Sequence, residues 1–280
     1  MGKLVFPAKA GIQRGISWTP ACAGATSFPR TISETFNAIA RTPPPGTDNL
    51  LEIKQFQGAS LLYRVVEPDH YRPGADYPLV VMIHGYASSM DDMAGLAPHI
   101  DRTGYVYACP NAPIDFQVRS GRIAYGWSSP GSSEAEVEAE EVEAADLLEV
   151  FFSEVFQRYH AQPGGTLMLG FSQGGNLSLR CGLPRPETFA GLASLSGYLP
   201  ESEALRDRLP EQRDQSVFVA HGTHDQYIPL TQAQEIRDFL VEEGYDPLYR
   251  EYPCMRHEVA PPVVSDLAPW IRRVLPPRRA

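Results

Sequence analysis

Thr166-Leu167-Met168-Leu169-Gly170-Phe171-Ser172-Gln173-Gly174-Gly175 is the stretch that decides how this chain folds. Its first half is a short apolar run with the character of a buried strand, and a helix-compatible run, Gly175 to Cys181, follows it. Between them lies Gly-Phe-Ser-Gln-Gly, the pattern G-x-S-x-G in the strand–turn–helix setting that gives it meaning. Glycines on both sides lack Cβ atoms, so strand and helix can approach closely while the hydroxyl points outward from a strained turn. A helix beginning there also aims free N–H groups and its positive dipole end at any oxyanion forming beside the serine. Five residues are too few to carry a conclusion alone, so the rest of the chain must supply partners.

Outward from this stretch, apolar strands alternate with helical runs. Leu51 to Gln57 and Ser60 to Val66 suit two antiparallel strands separated by Gly58. Tyr77 to Ile83 reads as a buried strand running into His84-Gly85-Tyr86-Ala87-Ser88-Ser89, with a short helix over Asp91 to Ile100. Gly104 to Cys109 is a strand halted by Pro110. Glu134 to Tyr159 is the clearest helix: Val137, Leu148, Phe151, Phe152, Val155 and Tyr159 recur at helical spacing, and Ser133 offers an N-cap. Its run of glutamates is a solvated face. Beyond Ser172, strands are expected over Gly191–Ser196, Ser216–His221 and Leu248–Tyr252. Helical runs are expected over Glu201–Gln215, Thr231–Glu243 and Val263–Leu275. That alternation implies one α/β domain, residues 46–280, with a mostly parallel central sheet and helices on both faces.

Residues 1–45 read differently. Pro7, Pro20, Pro29 and four glycines break up Met1 to Arg30, and Pro43-Pro44-Pro45-Gly46 closes the segment as a stiff linker. Residues 7–13 and 18–26 resemble translated interspersed repeats of bacterial genomes, so a disordered, dispensable tail is expected. Pro7, Gln13 and Arg14 interrupt any apolar leader, which favours a cytoplasmic protein. A formal charge of −10 argues against nucleic acid and anionic membranes as partners. No apolar run approaches the ~20 residues of a membrane span. Cys22, Cys109, Cys181 and Cys254 lie far apart with no C-x-x-C and no metal-ligand spacing, so thiols, and neither a metal nor another cofactor, are expected.

In such sheets ligands bind beyond the carboxyl ends of the strands. Ser172, Asp225 and His257 occur there in the chain order of an α/β-hydrolase. Serine needs a base, imidazole suits the task near neutral pH, and an acid must fix the imidazole's tautomer. Among the seven histidines, only His257 lies beyond Asp225, after the last strand. Gly85 lets the backbone turn so that the N–H of Tyr86 can face the serine, and with the N–H of Gln173 it would form an oxyanion hole. His84, His221 and His224 read as structural. Ile114 to Ser133 has no period and carries Phe116, Tyr125 and Trp127, so it is expected to line a substrate pocket.

Ile83-His84-Gly85, Gly170-Phe171-Ser172-Gln173-Gly174-Gly175, His221-Gly222-Thr223-His224-Asp225-Gln226-Tyr227-Ile228-Pro229 and His257 together resemble the phospholipase/carboxylesterase family of small α/β-hydrolases. The likeness covers roughly residues 50–275. It implies Ser172 as nucleophile, Asp225 as orienting acid, His257 as base, and Tyr86 and Gln173 as backbone donors. It further implies a carboxylesterase acting on small-molecule esters, with lysophospholipase or acyl-thioester hydrolase as the alternative. Thioesterase members usually carry Gly-x-Gly-Asp after the histidine, whereas Tyr86-Ala87-Ser88-Ser89 stands here.

Overall fold

Alternate residues of a strand point to opposite faces, and Leu79–Ile83 (β3, after β1 at Glu52–Gln57 and β2 at Leu62–Glu67) is buried on both. Leu79, Val81 and Ile83 enter one apolar cluster, while Val80 and Met82 enter another. Only a central strand covered by helices on both sides meets that condition. Each such side chain contributes about 1.5–3 kcal/mol by leaving water. The computed structural model describes residues 51–118 and 120–278. The tail over residues 1–45 and the first residues of the domain lie outside the described residues.

The remaining strands are β4 (Val106–Pro110), β5 (Ile114–Gln117), β6 (Ile123–Gly126), β7 (Thr166–Phe171), β8 (Phe189–Leu195), β9 (Ser216–Gly222) and β10 (Leu248–Tyr252). Eight of the ten strands among the described residues form one sheet in the order β1-β2-β4-β3-β7-β8-β9-β10. In this sheet β1 pairs antiparallel with β2, and β2 with β4, while its other pairs are parallel. The helices are α1 (Met90–Ile100), α2 (Glu134–Tyr159), α3 (Gln173–Gly182), α4 (Ser202–Arg206), α5 (Leu230–Glu242) and α6 (Pro261–Val274). α1 and α6 pack on the Val80 face; α2, α3 and α5 cover the Val81 face.

Local chemistry explains the elements. Ser133 caps α2 in a reciprocal box, its Oγ accepting from the Glu136 N–H at 3.4 Å while a Glu136 carboxylate oxygen accepts from the Ser133 N–H at 2.8 Å. His160 ends that helix in the left-handed conformation at φ 52°. Three expectations are corrected. The segment over Ile114–Ser133, which has no period in sequence, holds regular structure: β5 and β6 form a hairpin, with Ile114 opposite Gly126 and Gln117 opposite Ile123. Their alternation is short and mixed, and cross-strand pairing supplies the order that periodicity does not. The helical run expected over Glu201–Gln215 closes after Arg206, because Pro210 cannot donate to a continuing ladder. Of the cysteines, Cys109 and Cys181 are buried free thiols as expected, and Cys254 is disulfide-bonded instead.

Glu141 is the one α2 glutamate buried among the described residues, 1 % exposed, with its carboxylate accepting from the Tyr198 hydroxyl and 3.9 Å from the Arg180 guanidinium. Burial outweighs both partners and pushes its pKa up from 4.5 to about 7. A raised carboxylate pKa contributes stability below the ordinary value and loses it as pH rises through the folded one. Stability should therefore fall by about 1 kcal/mol between pH 6 and 8. Glu141→Gln should flatten that slope in denaturant titrations at the two pH values. An unchanged slope would place the titration elsewhere.

Candidate active site

Ser172 stands between β7 and α3 at φ 56°, ψ −117°, a backbone conformation that costs a non-glycine residue about 1–3 kcal/mol. The surrounding packing leaves no other path. A Cβ on Gly170 would lie 1.9 Å from the Gly174 carbonyl oxygen, and one on Gly174 would lie 2.1 Å from that of Ile83. Gly174→Ala should therefore cost on the order of 3 kcal/mol, as overpacking against backbone that cannot yield, measured by denaturant unfolding. A loss below about 0.5 kcal/mol would show the turn to be adaptable. The α3 ladder starts with the N–H groups of Gly175 and Asn176 on the Ser172 carbonyl, so the first-turn N–H of Gln173 is not consumed by it.

The β10–α6 connection brings His257 beside this turn, its ring 4.7 Å from that of Phe171. His257 Nδ1 lies 2.7 Å from Asp225 Oδ2. The other carboxylate oxygen of Asp225 accepts from the Tyr227 and Ile228 N–H groups, both at 2.9 Å. Burial pushes the Asp225 carboxyl upward, yet His257 and these two amides together hold it below its ordinary 3.8. An ionised carboxylate can only accept, so the proton of this hydrogen bond sits on Nδ1. Nε2 is left as the basic nitrogen, buried and without a hydrogen-bond partner among the described residues. Tyr227, 43 % exposed, sets its ring 5.5 Å from the His257 ring at the rim.

His84 and Gly85 leave β3 on the other side of Ser172, and a Cβ on Gly85 would come within 2.9 Å of the Ser172 Cβ. The Ala112 N–H donates to His84 Nε2 at 3.0 Å, so the ring proton is on Nδ1 and bonds the Gly85 carbonyl at 2.8 Å. Burial pushes the His84 pKa down to about 4, keeping it neutral and structural. His221 Nε2 bonds the Ile228 carbonyl at 2.9 Å, and His224 Nδ1 pairs with the Thr223 hydroxyl at 3.0 Å, both inside the loop that carries Asp225.

The three aromatic residues expected to line a pocket separate. Phe116 stacks on the Tyr86 ring at 4.9 Å, and the half-buried Tyr125 joins the Ser88 backbone through its N–H at 2.9 Å. Trp127 is fully buried and offers no surface to a substrate. Its indole N–H finds a partner inward, on the His84 carbonyl at 2.8 Å, which is why the ring turns from solvent. The contacts of the Gln173 side chain and of Tyr227 escaped sequence reading, since only adjacency to Ser172 and to Asp225 marked them. Among the described residues, no three His, Cys, Asp or Glu side chains form a group that could hold a metal ion. Among the same residues, no helix is long and apolar enough to cross a membrane.

The chain is similar to known proteins in sequence and in fold. The family model described as Phospholipase/Carboxylesterase matches residues 66–275. An acyl-protein thioesterase 1 of Gibberella zeae is 27 % identical over 206 residues, covering 70 % of this chain and 86 % of that protein. The carboxylesterase SOBER1 of Arabidopsis thaliana is 31 % identical over 114 residues, covering 40 % of this chain and 50 % of that one. The crystal structure of esterase PE8 shares the fold at a TM-score of 0.65 and 22 % identity, covering 81 % of this chain and all of that one.

Proposed function

This chain belongs to the phospholipase/carboxylesterase family, and from that premise we propose that it hydrolyses small carboxylic esters through an acyl-enzyme on Ser172. The observation that carries the reading is the Asp225–His257 pair, bonded through Nδ1 at 2.7 Å with Nε2 left free beside the serine turn. In the proposed reaction His257 Nε2 takes the Ser172 hydroxyl proton as Oγ bonds the ester carbonyl carbon. The backbone N–H groups of Tyr86 and Gln173 hold the resulting oxyanion. Collapse breaks the bond to the alkoxy oxygen, which leaves as the alcohol with the proton from His257. Water then gives a proton to His257 as its oxygen bonds the acyl carbon; collapse breaks the bond to Ser172 Oγ, which takes the proton back from His257 as the carboxylic acid leaves. Asp225 stays ionised throughout and stabilises the imidazolium.

The alternative substrate class, an acyl thioester or a lysophospholipid, uses the same groups, and the relatives named acyl-protein thioesterase favour it. Tyr86-Ala87-Ser88-Ser89 in place of the Gly-x-Gly-Asp usual in thioesterase members speaks for the ester. A series of p-nitrophenyl esters from acetate to palmitate, with an acyl thioester alongside, tests the reading. Highest kcat/KM on a short ester supports it, and a preference for the thioester reverses the order. Phe116 and Tyr125 are proposed to line the acyl side. Phe116→Ala should change the ratio of short-ester to long-ester rates by about tenfold, a pocket effect worth 1–3 kcal/mol; an unchanged ratio would assign the hairpin no part in selectivity. The buried free thiols Cys109 and Cys181 fit a cytoplasmic location and the Cys254 disulfide favours an oxidising one, while the charge of −10 argues against nucleic acid as a partner. Cell fractionation tests the first.

A further inference from the structure

The loop from His84 to Ser89 holds one proposed oxyanion donor, and residues 111–128 restrain it along its length. Trp127 Nε1 donates to the His84 carbonyl at 2.8 Å, and the two rings lie 5.4 Å apart. Phe116 stacks on Tyr86 at 4.9 Å, and a Cβ on Gly126 would meet the Tyr86 ring at 3.0 Å. Arg122 donates at 3.1 Å to the carbonyl of Ala87, whose φ of 58° is itself strained. The Tyr125 N–H reaches the Ser88 carbonyl at 2.9 Å, and the Asn111 side chain accepts the Met90 N–H at 3.0 Å.

The same strip of chain also grips the second donor. The Trp127 backbone N–H donates to Gln173 Oε1 at 3.1 Å, and Gln173 Nε2 donates to the Ser128 hydroxyl at 2.6 Å. Gln173, Trp127 and Ser128 are all buried, so none of these bonds is exchanged for water without cost. Tyr86 and Gln173 sit far apart in the chain, and one element ties both down.

We infer that the hairpin of β5 and β6, acting through Trp127 and Ser128, is the positioning element of the oxyanion hole, fixing the Tyr86 and Gln173 N–H groups relative to one another. This rests on the ester-hydrolase reading and deepens it. Trp127 is a positioning residue: it is shielded from substrate and works through the His84 carbonyl and the Gln173 side chain. A hole whose donors are held before reaction stabilises the transition state more than the bound ester, so its loosening lowers kcat and spares KM.

The test uses the full chain with Trp127→Phe, which keeps a buried ring and removes the indole N–H, and Gln173→Met, which keeps the backbone donor and removes both side-chain bonds. Each should lower kcat about tenfold on the best p-nitrophenyl ester, with KM within twofold. Each should weaken a trifluoromethyl ketone of matching acyl chain by the same factor, and neither should move the pH profile, since His257 and Asp225 are untouched. Unchanged kcat, or a change confined to KM, would overturn the assignment. Should Trp127→Phe fail to fold, Gln173→Met and Ser128→Ala carry the same readout with smaller volume changes. A wild-type chain that does not react with a fluorophosphonate would overturn the hydrolase reading itself; a reactive wild type with indifferent variants would overturn the clamp alone.

Discussion

Ser172→Ala is expected to remove acyl-enzyme formation, with ester turnover falling by roughly 10⁵–10⁶. The proposed reaction gives the attack to the hydroxyl at the strained turn, whose neighbour Phe171 sets its ring 4.7 Å from that of His257. His257→Ala should cost nearly as much, because a serine hydroxyl without its base is a poor nucleophile. The two losses should not add, and the double variant should match Ser172→Ala within a few-fold, since the pair acts as a unit. Stopped-flow measurement of the p-nitrophenol burst separates the outcomes. A burst that survives in Ser172→Ala would move the nucleophile elsewhere. Both variants should fold, because the changes lie at the carboxyl rim of the sheet and not between its helices.

Asp225→Asn is expected to lower turnover by about 10³–10⁴ while leaving the fold intact. The wild-type carboxylate accepts the Nδ1 proton of His257 at 2.7 Å and so keeps Nε2 free. An amide can present its NH₂ to Nδ1 instead, which moves the ring proton to Nε2, the wrong nitrogen for a base. The Tyr227 and Ile228 N–H groups that now bond Oδ1 would hold the amide oxygen and select that inverted orientation. Wild-type turnover in this variant would mean that Asp225 only ties down its own loop. The sign of the acid-side stability effect follows from the same contacts. The depressed Asp225 pKa gives a contribution present above 3.8 and lost as pH falls through the lower folded value.

Much of this is legible in the sequence. β3, β7 and β9 are continuous apolar runs because both faces are covered, and such runs end where the site begins. Ser133 and Glu136 announce the start of α2 three residues apart, and the glycines around Ser172 are fixed by approaches of about 2 Å that no Cβ could share. The hairpin was not legible, since its strands are four residues each and its order comes from pairing and from the Tyr125–Ser88 bridge. Trp127 read as a pocket wall because an aromatic in a polar loop suggests ligand contact. Its burial is decided by a partner carbonyl on His84 that sequence adjacency does not reveal. Glu141 is likewise lost among the α2 glutamates, where only packing against Tyr198 and Arg180 sets it apart.

The pairing of β3 with β7 carries a kinetic consequence. Ile83 lies beside Gly170 in the sheet, so joining the two strand ends that feed the site closes a long loop that holds α1, β4, the hairpin and α2. Contacts between residues so distant in sequence form slowly, because the entropy of closing the long loop is lost before the pairing offsets it. Local helix in α2 can form early, but the serine turn gains its packing against the Ile83 and His84 carbonyls only on that closure. Regain of turnover on dilution from denaturant should therefore track the last refolding phase and lag behind the far-UV helical signal.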